Sequence, residues 1–575
     1  MPVESTSSMP STPAAACHRS VAVILLCFIL ALIGSLPLLS RYHFDEGWYT
    51  NAAIEMVRTG DYLTPKYADG AARFRKPILT YWVLVASYLS LGISLFASRL
   101  PFLLAGACTL WVTYRLAHSA THDQAVGLLA AATLASNIQF MESATKSTPD
   151  MLQCLFITLS LWGAVELLLN GRRESRWYAL LYLGTGLGIA TKGLLPLLLL
   201  LFVWGVARFV QTPGTNSSGL VHRGWMLAGA GIACSWFLGM LVLRGPEAVS
   251  TMFEDQIGER LEGAQTFILT NLLLYSLTPL RFFAPWMLVL AAVAATQFDL
   301  VRSYFAQHRR LIWFVLGWLG LNILAFSLGN LMRARYLLPT YPLLALLLAD
   351  LLMHLTRKEA AAARASRLVQ WLLVGGLGVG GLLALAGARI DPRIVIGGLM
   401  LVAVLSVLYV LTFHRRTLPA LLALSFAIMG SFAALEQFLK PVVITSPADD
   451  ITRRLLQLSP LPDNIAAVGL RPSVANQIRL LSKGKLTIRE FKDDVRQVEL
   501  QQFTTILAPR HVRDTFAASP DYSNEECAVD YRPLSIKELW RALETGRHAT
   551  AQARDGKPYF VIQRMQTAAL GNVTQ

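Results

Sequence analysis

SVAVILLCFILALIGSLPLLSRYHFDEGWYT, residues 20–50, is the stretch from which the rest of the chain can be read. Its first part, residues 20–40, is an apolar run of about 20 residues, enough to cross a hydrocarbon core about 30 Å thick. It exceeds a signal-peptide core and ends in Leu36-Pro37-Leu38-Leu39 without a small-residue cleavage pattern, so it reads as a retained anchor. Directly after it stands His43-Phe44-Asp45-Glu46-Gly47-Trp48-Tyr49, an acidic pair set among aromatic residues where a chain leaves a membrane. The Ser-, Pro- and Ala-rich residues 1–19 before it are expected to form a disordered cytoplasmic tail.

The same pattern recurs outward from this anchor. The 575 residues are 54% hydrophobic and 15% charged, with a mean hydropathy of +0.47, where a soluble protein carries about 25% charged residues. Apolar runs predict thirteen spans, at 20–40, 99–117, 124–142, 151–169, 177–191, 193–208, 225–243, 282–297, 311–329, 337–355, 368–388, 393–412 and 418–438. After Lys440 they stop. The chain is therefore expected to be a polytopic α-helical membrane protein, with a bundle over 20–440 and a C-terminal α/β domain over 441–575. That domain alternates strand-like runs at 465–470, 486–488, 504–507 and 559–562 with helical stretches near 474–481, 510–518 and 535–543.

Basic clusters at 115–122, 172–176, 208–223, 302–310, 357–367 and 414–416 fall in alternate loops, as the positive-inside rule requires of the cytoplasmic side. The N-terminus is then inside, and the C-terminal domain outside with the long loops 41–98 and 244–281. Residues 78–96 are apolar enough to span, but counting them would reverse every later loop. They are therefore expected to lie at the interface or re-enter it. The net charge of +15 is assigned to topology and anionic lipid headgroups rather than to nucleic acid. Four of the six cysteines, Cys27, Cys108, Cys154 and Cys234, fall in apolar segments, and no disulfide framework is implied. No phosphate-cradling Gly-Lys-Ser/Thr loop is present.

On this map Asp45, Glu46 and Asp150 share the external face with a set of cations: Arg73, Arg75 and Lys76 before Pro77, Lys192 in Thr191-Lys192-Gly193, and Arg333 and Arg335. Each residue has a plain alternative. Carboxylates favour helix starts, and basic residues near span ends snorkel to ordinary lipid phosphates. Yet an acid entering an apolar run, as Asp150 does, is expensive enough to invite a functional reading. Cations at such a face could hold a phosphate leaving group.

The ordered set resembles the GT-C membrane glycosyltransferases, on the branch of the protein mannosyltransferases and the lipid A aminoarabinose transferases. It comprises the acidic pair after the first span, Phe74-Arg75-Lys76-Pro77, Arg99-Leu100-Pro101, Asp150, Thr191-Lys192-Gly193, Pro285-Trp286 and the element from Tyr336 to Pro342. The resemblance covers about residues 42–348. It implies transfer of a sugar from an undecaprenyl-type polyprenyl phosphate to lipid A or another envelope acceptor, by an inner-membrane protein expected to be a monomer. Asp45 would be the main catalytic carboxylate, with Asp150 and Glu46 beside it; Lys76, Arg75, Lys192, Arg333 and Arg335 would bind the donor phosphate. Tyr49, Tyr81, Trp82 and Tyr336 are expected in the substrate pocket. No cofactor is implied and a divalent metal is left open, since His43 and Glu46 lack diagnostic spacing. Two positions depart from the aminoarabinose pattern: Arg75 stands where that family typically has Glu, and Met332 where it has Lys.

Overall fold

The first apolar run is helical from Ala14 to Ile33 (α1) in the computed structural model. The structure describes residues 14–67, 70–210, 217–247, 250, 254, 267–329, 332–412, 417–462, 464–492, 500, 502–517, 522–531 and 556–564. Residues 14–19, expected within a disordered tail, instead extend α1: Ala14-Ala15-Ala16 is a strong helix former. The remainder of that tail lies outside the described residues.

Nine helices follow up to Arg244: α2 (Phe44–Thr59), α3 (Leu79–Leu91), α4 (Leu95–Thr121), α5 (Gln124–Ala135), α6 (Ile138–Ala144), α7 (Pro149–Leu168), α8 (Ser175–Lys192), α9 (Leu195–Val210) and α10 (Arg223–Arg244). Further helices span Ile268–Phe282, Ala284–Ala294, Phe298–Gln307, Arg309–Ser327, Tyr341–Leu355, Glu359–Ile390, Pro392–Thr412 and Thr417–Ala434. Among the described residues, eight helices are long and apolar enough to cross a membrane, or nine if the bent pair Ile268–Phe282 and Ala284–Ala294 is one span. The chain is thus a polytopic helical membrane protein.

Apolar runs in the sequence continue through breaks that local chemistry imposes. The run at 124–142 divides because Asn137 caps α6, its side chain accepting from the Phe140 N–H at 3.0 Å. The run at 282–297 narrows to Ala284–Ala294, preceded by a helix turned through 81°. That helix, Ile268–Phe282, occupies the end of the segment expected as the loop 244–281; residues 248–249, 251–253 and 255–266 lie outside the described residues. The ambiguous stretch 78–96 holds α3, whose 13 residues extend about 20 Å, short of a full span.

The bundle is held by close backbone approach and internal polar satisfaction. A Cβ on Gly163 of α7 would meet the Trp177 carbonyl of α8 at 2.6 Å, so glycine there lets the two helices touch. Buried hydroxyls return to their own helix, as Thr109 and Thr113 do to the carbonyls of Ala105 (2.8 Å) and Thr109 (2.7 Å).

After the bundle the chain forms a five-stranded sheet: β1 (Ile465–Val468), β2 (Ile488–Phe491), β3 (Thr505–Pro509), β4 (Tyr522–Tyr531) and β5 (Gly556–Arg564), in the order β2-β1-β3-β5-β4. Strand β1 runs parallel to both neighbours, Ile465 opposite Ile488 and Thr505, while β5 is antiparallel to β3 and β4. Strands β1 and β3 are buried throughout, as continuous apolar strands covered on both faces should be. Helices Ala448–Leu456 and Pro472–Leu481 pack on one face and Arg510–Ala517 on the other. The helix expected at 535–543 lies outside the described residues. Helix Pro472–Leu481 also meets α2: Asn51 Nδ2 donates to Asn476 Oδ1 at 2.5 Å, and Arg479 pairs with Glu55, both side chains 3% exposed. Gly47 lies under Asn476, where a Cβ would collide.

Candidate functional site

Helix α2 starts on a capping box. His43 Nδ1 accepts from the Asp45 N–H (3.2 Å), and Glu46 Oε1 accepts from the His43 N–H (2.9 Å). The box orients the two acids differently. Glu46 turns inward, fully buried, and takes a two-pronged grip from Arg99 of α4: Nε to Oε2 at 2.9 Å and Nη2 to Oε1 at 3.0 Å. The Ser147 N–H adds 3.1 Å to Oε2, and Arg99 Nη1 donates to the carbonyls of Leu36 (2.8 Å) and Leu38 (3.0 Å). This lock joins the end of the first span, α2, α4 and the turn before α7. Glu46, expected beside Asp45 in the reacting set, is thus placed off the cavity wall.

Asp45 faces a cavity of about 1840 Å³, well above the several hundred Å³ of a typical small-molecule pocket. Its Oδ2 receives Arg333 Nη1 at 2.9 Å and Arg335. Asp150, at the N-terminus of α7, receives Lys192 Nζ at 2.6 Å on Oδ1 and lies 3.7 Å from Arg335 Nε through Oδ2. Lys192 Nζ lies 4.7 Å from the Tyr336 ring centre. Burial pushes the Asp45 carboxyl up, but Arg335 and Arg333 outweigh it and hold it below the ordinary carboxylate value. Burial, with Lys146 beside it, lowers His43, against an opposing pull from Asp45.

Of the other residues singled out in the sequence, Arg75, Lys76, Tyr49 and Tyr336 line the same cavity. Tyr81 is fully buried behind it as the partner of Arg73, whose guanidinium lies 5.4 Å from the Tyr49 ring and 5.6 Å from Trp48 and Tyr67. Trp82 points elsewhere: it is 41% exposed and donates its indole N–H to the Tyr62 carbonyl at 2.7 Å. Expected in the substrate pocket, both are absent from its lining: Tyr81 is packed behind Arg73, which lines the cavity in front of it, and Trp82, the next residue on α3, faces another side.

The structure adds residues to which the sequence gives no role. Arg99 is one whose signal is legible, a cation set within an apolar run. Asn476, Arg489 and Glu490 from the C-terminal domain also line the cavity, and no periodicity announces such docking. Apolar side chains, among them Leu195, Leu198, Phe326 and Leu328, complete the lining, with Phe326 packed on Tyr336 at 5.1 Å between ring centres. Among the described residues no group of three or more His, Cys, Asp or Glu side chains is arranged to hold a metal. Asp45 and Asp150 are already matched by Lys192, Arg333 and Arg335, so this donor set does not fit the divalent ion that the resemblance left open.

Residues 75–238 match the family model of the dolichyl-phosphate-mannose-protein mannosyltransferases. An undecaprenyl phosphate-α-4-amino-4-deoxy-L-arabinose arabinosyl transferase of Pseudomonas fluorescens Pf-5 is 26% identical over 425 residues, covering 72% of this chain and 74% of the relative. Its counterpart in Sodalis glossinidius is 32% identical over 178 residues, 30% of this chain and 32% of the relative. An uncharacterised Aquifex aeolicus protein is 25% identical over 335 residues, 56% of this chain and 64% of that protein. The chain spans between about one third and two thirds of the length of several such relatives, 32% to 64%. In three dimensions it is similar to ArnT of Cupriavidus metallidurans, solved bound to undecaprenyl phosphate, with a TM-score of 0.67 at 16% identity over 96% of this chain and 98% of that one. Part of the chain is thus similar in sequence to the protein mannosyltransferases and the aminoarabinose transferases, and its fold is similar to that of ArnT.

Proposed function

We propose that the protein moves a sugar from a polyprenyl phosphate to an acceptor at the membrane face bearing Asp45, with 4-amino-4-deoxy-L-arabinose or a related sugar and lipid A as the first substrates to test. The observation that carries this is the convergence of Asp45, Asp150, Lys76, Lys192, Arg333 and Arg335 on one cavity whose lining also includes Leu195, Leu198, Phe326 and Leu328. Such a cavity suits a donor whose phosphate is polar and whose tail is hydrocarbon. On this reading the membrane is the bacterial inner membrane, with the N-terminus in the cytoplasm and the C-terminal domain in the periplasm as the roof of the cavity. The alternation of basic loops supports that orientation.

The acceptor oxygen attacks the anomeric carbon as the bond from that carbon to the phosphate oxygen breaks. The electron pair of that bond leaves on polyprenyl phosphate, and configuration inverts. Lys192, Arg335 and Arg333 meet the charge that accumulates on the leaving phosphate. Asp150, 3% exposed and hydrogen-bonded to Lys192, acts as a positioning residue for that cation. Asp45, kept ionised by its arginines, is a weak base in this arrangement. That favours an acceptor already ionised at neutral pH, such as a lipid A phosphate, with Asp45 stabilising cationic character at the sugar. A second reading, another sugar or another envelope acceptor, is favoured by Arg75 on the cavity wall where the aminoarabinose pattern has an acid.

Mass spectrometry of lipid A and total envelope glycans, from cells with and without the gene and cells carrying Asp45→Asn, tests both. The expected result is a lipid A species with an added pentosamine or hexosamine, lost in both altered strains. A glycan missing elsewhere would select the second reading, an Asp45→Asn strain with wild-type products would remove the catalytic role of Asp45, and unchanged lipid A and glycans in cells without the gene would overturn the transferase assignment.

A further inference from the structure

A second cavity, about 170 Å³, lies between the ends of α4 and α7 and the start of α8. Its wall includes Glu166, sixteen residues along α7 from Asp150, about 24 Å away at the helical rise. It therefore sits at the membrane face opposite Asp45. Arg115, Arg172 and Arg176 line it with one carboxylate, Glu166, and Arg176 is paired with Glu174 outside the lining, which leaves Arg115 and Arg172 against Glu166. That carboxylate is engaged by Asn170 Nδ2 at 2.9 Å and Arg172 at 3.4 Å. Arg115 has no carboxylate partner among the described residues; its guanidinium lies 5.4 Å from the Trp162 ring centre and 5.8 Å from Trp111.

Trp162 and Trp177 are 8% and 5% exposed and both line the cavity. Neither indole N–H has an acceptor among the described residues. Tryptophans of a membrane belt ordinarily keep that N–H at the wet headgroup level, and basic residues that only set topology need no pocket. Here unanswered donors and a guanidinium without a carboxylate share one small enclosure. From it, Trp111 and Leu104, 40% and 47% exposed, continue along one face of α4 toward the bilayer at helical spacing.

We infer that this cavity binds the phosphodiester headgroup of an anionic phospholipid from the leaflet opposite Asp45. The phosphate oxygens accept from Arg115, Arg172 and the indole donors, and the acyl chains lie along Leu104 and Trp111. The volume suits a phosphate with its glycerol and excludes a nucleotide sugar. Basic pockets between spanning helices hold lipid phosphates by this chemistry. The site is independent of the sugar-transfer assignment.

The test is thermal unfolding of the full chain in phosphatidylcholine nanodiscs of increasing phosphatidylglycerol or cardiolipin content, with native mass spectrometry of retained lipid. A saturable rise in Tm with either anionic lipid is expected, absent with added phosphatidylcholine and lost in Arg115→Gln. Trp177→Phe, which keeps an aromatic ring and removes the N–H, should weaken the response about threefold to tenfold, the worth of one hydrogen bond, and serves if Arg115→Gln does not fold. An equal rise with inorganic phosphate alone would make this a free-phosphate site and overturn the lipid assignment. So would a response to phosphatidylcholine equal to that with the anionic lipids, or variants that respond like the wild type.

Discussion

Arg335 donates to Asp45 and lies 3.7 Å from Asp150 Oδ2, so one guanidinium spans two carboxylates that are 105 positions apart in the chain and belong to different helices. A lysine could answer one of them but not both, because it is a single point charge where the guanidinium is a planar fork. Arg335→Lys is expected to lower kcat/KM for the lipid-linked donor by about tenfold to a hundredfold, the loss of one to two charged hydrogen bonds, with the donor KM rising. Steady-state kinetics with purified protein checks it; unchanged constants would detach Arg335 from the donor site.

Glu46 and Arg99 form a fully buried pair, so Glu46→Gln leaves a buried guanidinium without its charge partner. Breaking such a pair costs about 3–5 kcal/mol. The expected outcome is a marked loss of thermal stability and yield, with near-normal turnover per folded molecule. A stable variant with abolished turnover would return Glu46 to the reacting set.

Arg479 and Glu55 tie the C-terminal domain to α2, each 3% exposed. Arg479→Ala should release that domain from the cavity and reduce transfer while leaving the helical bundle folded. The charge swap Glu55→Arg with Arg479→Glu should recover part of the loss. Limited proteolysis near residue 440, alongside activity, reads both effects; equal proteolysis in wild type and Arg479→Ala would remove the docking role.

The Asp45 carboxyl is held below its ordinary value of 3.8 by Arg335 and Arg333, against burial, which raises it. A depressed carboxyl contributes stability that is complete above the unfolded-state value and is lost as pH falls through the lower folded value. Transfer should therefore lose no activity to Asp45 protonation down to about pH 4. Arg335→Gln should move the acid limb upward. A pH–rate profile at saturating donor checks both, and an acid limb unmoved in the variant would mean that another group controls it.

Much of the candidate site is legible in the amino-acid sequence. Asp45, Asp150, Lys192, Arg333 and Arg335 stand out because charges at the ends of apolar runs are costly, and all five meet at one cavity. Helix breaks at Asn137 and Phe283 are not legible, since apolarity continues across them while capping and bending interrupt the helix. Nor is the separate fate of adjacent acids: the resemblance ranks Asp45 above Glu46 but keeps both in the reacting set, and the helical turn between them sends one to the cavity and the other to Arg99.

By itself the sequence determined that the chain lives in a membrane, where its apolar runs begin and end, and which acids and cations gather at their ends. These follow from the cost of burying charge and from the length a helix needs to cross lipid. Only the tertiary structure decided which of those charges face one another. It paired Glu46 with Arg99, stretched Arg335 between Asp45 and Asp150, and brought Asn476, Arg489 and Glu490 from the C-terminal domain onto the cavity wall. The physical reason is that contacts between residues hundreds of positions apart depend on how helices pack, and no local periodicity encodes that.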